Sequence, residues 1–383
     1  MKKLLGSFLF VFSFLFSCQN MSVKNSNQEG IEARALKSTS SSDPSLQPQP
    51  PEDYIPAEAE QLTTEGENWE PHFSPDGRKI LFLSQDRIRH LQSQVYELNR
   101  ENRQQRRVTF HDGDDFSPHY DLSGEYVLYS STTDEIKEDP EFIQKSLSLI
   151  ASRALPEEAN GSTTTGQEID KSFPHPTPYW INRPFEIYRS TILGNKIVRL
   201  TLSKNFDAEA SYHPSHPSIV FTSTRSGRAQ IYVMSVNGKS VNRLSKEKYV
   251  ELEARFDPSG HGLTFVRYSA DLKSSQILYQ DLKNKKVVSL GQNSSLQRSP
   301  VWHPDGQWII FSSNQDDENN FELYTVRKDG NCLQRLTYAL GQDSYPTLSP
   351  DGKILAFSSD RKGRPQLFQM EYRPPSTCAP PNS

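Results

Sequence analysis

Ser299-Pro-Val-Trp302-His-Pro-Asp-Gly306 and, further on, Tyr345-Pro-Thr-Leu348-Ser-Pro-Asp-Gly352 are two copies of one phrase. Each is followed at once by an apolar run, Trp308-Ile-Ile-Phe311 in the first and Ile354-Leu-Ala-Phe357 in the second. Toward the N-terminus the phrase returns as Glu253-Ala-Arg-Phe256-Asp-Pro-Ser-Gly260 and Glu209-Ala-Ser-Tyr212-His-Pro-Ser-His216. Earlier still it reads Ser117-Pro-His-Tyr120-Asp-Leu-Ser-Gly124 and Glu70-Pro-His-Phe73-Ser-Pro-Asp-Gly77. In chain order the fourth positions lie 47, 92, 44, 46 and 46 residues apart. A fixed period of this length marks a repeat architecture, in which each unit buries its apolar face only against its neighbours. The double step is one repeat carrying an insertion about as long as a repeat.

The other strands of the unit are legible too. After the apolar run comes an alternating strand, as in Gln230-Ile-Tyr-Val-Met234 and Glu322-Leu-Tyr-Thr-Val326. A fourth strand ends in a short tag: Arg107-Val-Thr109, Arg199-Leu-Thr201, Arg243-Leu-Ser245 and Arg335-Leu-Thr337. Pro-Asp-Gly steps set tight turns, because Pro presets φ and Gly accepts positive φ. Four short strands per unit describe a propeller blade. The expected fold is all-β, a six-bladed β-propeller over residues 58–373. The last repeat stops after Gln366-Leu-Phe-Gln-Met370 without a tag, while Gln61-Leu62-Thr63 is a tag without a blade. The N-terminal strand is therefore expected to complete the sixth blade and cover an otherwise open sheet edge.

The order of the motifs, Pro-x-aromatic-Ser-Pro-Asp-Gly, apolar strand, Asp-Arg-x-Gly and x-Leu-Thr, resembles the repeat of the TolB propeller family. Ser358-Ser-Asp-Arg361-Lys-Gly363 and Ser223-Thr-Arg225-Ser-Gly227 carry the middle element. The resemblance implies a non-enzymatic envelope protein that binds other proteins, a peptidoglycan-associated lipoprotein or similar among them. TolB proteins have an α/β domain before the propeller. Here that place holds a polar tether, so the functions of that domain do not carry over.

The first residues read as an export signal. Lys2 and Lys3 precede the apolar run Leu4 to Phe16, which is short of the about 20 residues that span a bilayer. Residues 1–17 are expected to be the signal peptide. Leu15-Phe16-Ser17-Cys18 resembles the lipobox of bacterial lipoproteins, although Phe16 stands where a smaller residue is usual. The resemblance implies Cys18 as the lipidated first residue of the mature chain; plain secretion is the alternative. Gln19 after the cysteine is compatible with the outer membrane, so the protein is expected to be anchored there, facing the periplasm. Residues 18–57, rich in Ser, Asn, Gln and Pro, hold too little apolar surface for a core and read as a disordered flexible tether. Residues 374–383 form a Pro-rich tail. With 43 basic and 47 acidic residues, the charge balance does not suggest a nucleic-acid partner.

Candidate chemistry sits on the innermost strands. Glu70, Glu209 and Glu253 share one repeat position, and His72 and His119 share the position two further on. Strand alternation sends both positions to one side of the sheet. The five would gather at one mouth of the axial channel, either as a polar-ligand, glycan or divalent-cation site or as internal bonds that close the ring. No cofactor is otherwise expected, and the metal question is open. Gly-x-Ser-x-Gly, His-Glu-x-x-His and Cys-x-x-Cys motifs do not occur. An enzyme or ligand-binding module built on the axial set remains the second reading.

The insertion runs over about residues 134–183. Asp139-Pro140 starts an expected helix, so the insertion is expected to be partly helical. Phe173, Tyr179 and Trp180 form an aromatic cluster, either a docking element or a surface elaboration. Cys332 and Cys378 are candidates for a disulfide that ties the tail to the fifth blade. The basic run Arg100 to Arg107 reads as a solvated turn.

Overall fold

The structure is a computed structural model and describes residues 58–133, 183–203, 205–245, 249–291 and 295–375. The strands form six antiparallel four-stranded sheets, each a blade. The innermost strands are Glu67–Phe73, Asp115–Tyr120, Asp207–Tyr212, Val250–Phe256, Gln297–Trp302 and Asp343–Leu348. Each touches the innermost strand of the next blade, and the last touches the first, so the ring is closed.

The second strand of each blade is apolar along its length because both of its faces are covered. In blade 1, Leu81 and Leu83 pack with Tyr120, Val127 and Tyr129 of blade 2. Their neighbours Ile80 and Phe82 point the other way, against Ala356 and Leu367 of blade 6. Blade 5 repeats the division, with Ile309 and Phe311 toward blade 4 and Ile310 toward blade 6. Alternate residues of one strand thus feed two inter-blade cores, and the apolar run loses the period-2 pattern of a half-exposed strand.

The ring closes through the N-terminal strand Glu60–Gln61, which is the outer strand of blade 6 and pairs antiparallel with Gln366–Glu371. Leu62 N–H donates to Leu367 O at 2.7 Å, and Thr63 Oγ1 accepts from Leu367 N–H at 2.9 Å. Gln366 extends the clamp, with Oε1 accepting from Thr63 and Asn68 and Nε2 donating to Gly66 O, each at 2.8 Å. Leu62 is buried in the core between blades 6 and 1.

The basic run departs from the expected solvated turn. Arg100 donates to Gln369 Oε1 at 3.0 Å and to Gly77 O at 2.8 Å, and Arg103 forms an ion pair with Glu60. These side chains reach from the outer hairpin of blade 1 to blade 6, Arg100 to its strand Gln366–Glu371 and Arg103 to the closing strand.

The tag acts through its hydroxyl. Thr109, Thr201, Ser245 and Thr337 each accept the N–H of a third-strand residue, Val95, Ile187, Ile231 and Leu323, all at 2.9 Å. Thr63 does the same in blade 6. Blade 4 lacks the tag, and the side-chain carbonyl of Gln297 accepts from Ile277 N–H at 2.9 Å instead.

Residues 134–182, with Phe173, Tyr179, Trp180 and the expected helix, lie outside the described residues. So do the residues before 58, with Cys18, and Cys378 in the tail. Cys332 is disulfide-bonded, and its partner lies outside the described residues as well.

Candidate functional site

Every innermost strand carries a bulge at the same repeat position. Glu70, Ser117, Glu209, Glu253, Ser299 and Tyr345 all have φ between 52° and 56°, and the register with the second strand shifts there. A bulge inserts one unpaired residue and re-aims the chain. In four blades a proline follows it, where no ladder N–H is needed. Simple alternation therefore fails at this point. The position of the glutamates and the position two further on nonetheless border one axial cavity.

The cavity has a volume of about 210 Å3. Glu70, His72, His119, Glu209 and Glu253 all line it, so the structure brings the five sequence candidates together. Their neighbours include Arg255, Arg298, Phe116, Phe256 and Trp302. Arg255 occupies the same repeat position as His72 and His119, and that shared column was the sequence signal for it.

The carboxylates bond from blade to blade. Glu70 Oε2 accepts from Ser117 N–H at 3.1 Å. Glu209 Oε2 accepts from Glu253 N–H at 2.8 Å and from Thr222 Oγ1 at 2.6 Å, and Glu253 Oε2 accepts from Ser299 N–H. Each accepting carboxylate thus satisfies the bulge N–H of the following blade, which the ladder has released. Glu70 N–H itself donates to Ser358 Oγ of blade 6 at 3.1 Å. Among the described residues no group of three or more His, Cys, Asp or Glu is arranged to hold a metal ion.

Enclosure sets the protonation states. Burial pushes the Glu70 carboxyl up to about 8, against the pull of Arg255 and of the Ser117 N–H. Burial and then the Glu209 charge push Glu253 up to about 7. Burial, then Arg255, takes His72 down to about 4, and burial, His72 and Arg255 hold His119 well below the usual histidine range. The two imidazoles are therefore neutral near neutral pH, which allows their ring centroids to lie 4.1 Å apart. Nδ1 of His72 has no hydrogen-bond partner among the described residues.

The stem of the insertion stands beside this site. Arg183 forms an ion pair with Asp114 at 3.0 Å, and Phe185 packs on the cavity-lining Phe116 with ring centroids 6.0 Å apart. His213 and His303 lie in the turns after the innermost strands. Nδ1 of His213 accepts from Ser215 N–H and His216 N–H at 3.1 and 3.0 Å.

Comparison with known proteins agrees with this architecture. The sequence model of the TolB beta propeller domain matches residues 182–321 and 246–377, which together cover just over half of the chain. A protein named Protein TolB homolog from Chlorobium luteolum is 30% identical over 154 residues, 40% of this chain and 34% of that protein. The Tol-Pal system protein TolB of Francisella tularensis is 36% identical over 75 residues, 20% of this chain and 17% of its own length. The matched stretches thus span about a third or less of these relatives. A solved structure of a TolB from Agrobacterium tumefaciens, described as putative, superposes with a TM-score of 0.54 at 15% identity. It covers 82% of this chain and 93% of its own. The repeat, the six closed blades and the family match lead to one assignment: the chain belongs to the TolB β-propeller domain family.

Proposed function

We propose that the protein is a cell-envelope lipoprotein whose propeller is a non-enzymatic scaffold for other envelope proteins. Cys18 carries the lipid, residues 18–57 are the tether, and the propeller faces the periplasm from the outer membrane. A peptidoglycan-associated lipoprotein or a protein of similar role is the expected partner. The observation that carries this reading is membership of the TolB propeller family, with a Tol-Pal system protein among the relatives. The internal use of the axial carboxylates supports it, since Glu70, Glu209 and Glu253 hold backbone N–H groups rather than an open catalytic arrangement. The insertion stem beside the cavity supports a docking face at that mouth, with Phe173, Tyr179 and Trp180 as the contact residues. Crosslinking in the native host tests the reading. Envelope proteins crosslinked to propeller residues are expected; crosslinks confined to the tether, or none to envelope proteins, contradict it. Globomycin treatment or Cys18→Ala is expected to leave an unprocessed precursor, and normal processing after either would sink the lipid anchor.

A further inference from the structure

Arg255 is a half-buried cation at the axial cavity that has no ion pair among the described residues. Its Nη1 donates to the backbone carbonyls of Glu209 and Ala254, each at 3.1 Å. Glu209, Glu70 and Glu253 act on it through space. A charge drawn partly out of water gains from a counter-ion, because its lost hydration is then replaced. Arg255 lines the cavity, and a guanidinium edge matches a carboxylate in two parallel hydrogen bonds.

The wall also carries an apolar part, beside the polar Ser211, Ser299 and Thr347. Phe116, Phe256 and Trp302 line the cavity together with Pro71 and Pro118. The 210 Å3 exceeds the roughly 150 Å3 that admits benzene and falls short of the roughly 300 Å3 at which pockets for larger ligands begin. We propose that the axial cavity is a binding site for a small organic monocarboxylate, its acid group on Arg255 and its apolar body against Trp302 and the neighbouring rings.

The titratable groups facing the site give it a pH dependence. They are Glu70 and His72 from blade 1, His119 from blade 2, Glu209 from blade 3, Glu253 from blade 4 and Tyr345 from blade 6, with Arg298 as a second cation. Near pH 6 the Glu70 and Glu253 carboxyls are largely protonated and do not repel an anion; near pH 9 they are ionised. The imidazoles are neutral at both. A carboxylate is therefore expected to bind more tightly at the lower pH. The inference rests on the cavity alone, so its failure leaves the envelope reading intact, and the reverse also holds.

Calorimetric titration of the full-length mature protein with sodium benzoate tests it. Benzoate is expected to bind near pH 6 and several-fold more weakly near pH 9. Arg255→Gln is expected to weaken binding by about tenfold or more, in line with the loss of hydrogen bonds to a charged group. If that variant does not fold, Glu70→Gln decides, because its side-chain carbonyl still accepts the Ser117 N–H. This variant removes a carboxylate that faces the site and is expected to raise the affinity near pH 9. Absence of benzoate binding at both pH values would overturn the proposal, as would unchanged binding in folded Arg255→Gln or no gain near pH 9 in Glu70→Gln. Binding of calcium chloride or of an aspartate-containing peptide, but not benzoate, would overturn it too.

Discussion

At the scale of single residues, the axis is built from charged groups placed where the backbone leaves donors unpaired. The left-handed bulge frees one N–H per blade, and Glu70, Glu209 and Glu253 each cover the next one along. This has a consequence for stability against pH. A glutamate whose pKa is raised on folding binds more protons folded than unfolded, so stability falls as pH rises from about 4.5 through the folded value. Glu70, raised to about 8, and Glu253, raised to about 7, both act in that direction. His72, lowered to about 4, acts oppositely, and its stabilisation is lost as pH falls from about 6.5. Urea midpoints are expected to be higher near pH 6 than near pH 9, and Glu70→Gln is expected to reduce that difference. A midpoint that rises between the two pH values would contradict these protonation states.

Glycines at the turns make a sharper residue-scale comparison. Gly260 has φ +74°, and a Cβ there would lie 2.2 Å from Cε1 of His213 in the preceding blade. Gly306 has φ +67°, but its nearest contact would be Pro258 at 3.9 Å. Both alanine variants incur the left-handed strain of about 1–2 kcal/mol. Gly260→Ala must also displace the imidazole that caps the turn, a further cost of about 1–3 kcal/mol. Urea unfolding is expected to rank Gly260→Ala as the more damaging; equal losses would show that His213 moves freely.

At the scale of elements, the outer strands are short, and the tag hydroxyls hold them. Thr337 Oγ1 accepts from Leu323 N–H and donates to the buried Glu322, whose other oxygen pairs with Arg335 at 2.9 Å. Thr337→Val keeps the shape and strands both partners, at an expected cost of about 2–3 kcal/mol. Ser245, which is partly exposed, makes the equivalent bond in blade 3, so water can replace much of it and Ser245→Ala is expected to cost about 1 kcal/mol or less. Chemical denaturation of the two variants checks the ranking. The tag was readable as a strand because Arg-Leu-Thr recurs. Its hydrogen-bonding role was not, because the accepted N–H belongs to a strand fourteen residues away. The bulge was hidden for a related reason: period-2 reasoning assumes an unbroken ladder, and only the recurring proline after the bulge hinted otherwise. Arg255 stood in the same column as His72 and His119, yet its lack of an ion pair is a fact of three-dimensional placement.

At the scale of the whole molecule, the repeat phrase sufficed for the six blades, since each copy marks an innermost strand followed by a strand buried on both faces. The closing strand was legible from two loose ends, a tag without a blade and a blade without a tag. The clamp of Arg100 and Arg103 onto blade 6 was not, because the partners Gln369 and Glu60 are remote in sequence. The central claim is that residues 58–65, which hold the strand Glu60–Gln61, are an integral part of the sixth blade. Thr63 and Leu62 bond Gln366 and Leu367 from across the chain, and Leu62 fills the core beside Phe73. Comparing the urea unfolding of a chain that starts at Glu58 with one that starts at Gly66 tests this most directly. The account predicts that the chain from Glu58 unfolds like the mature protein, while the chain from Gly66 unfolds at markedly lower urea concentration or fails to fold. Equal midpoints for the two would contradict it.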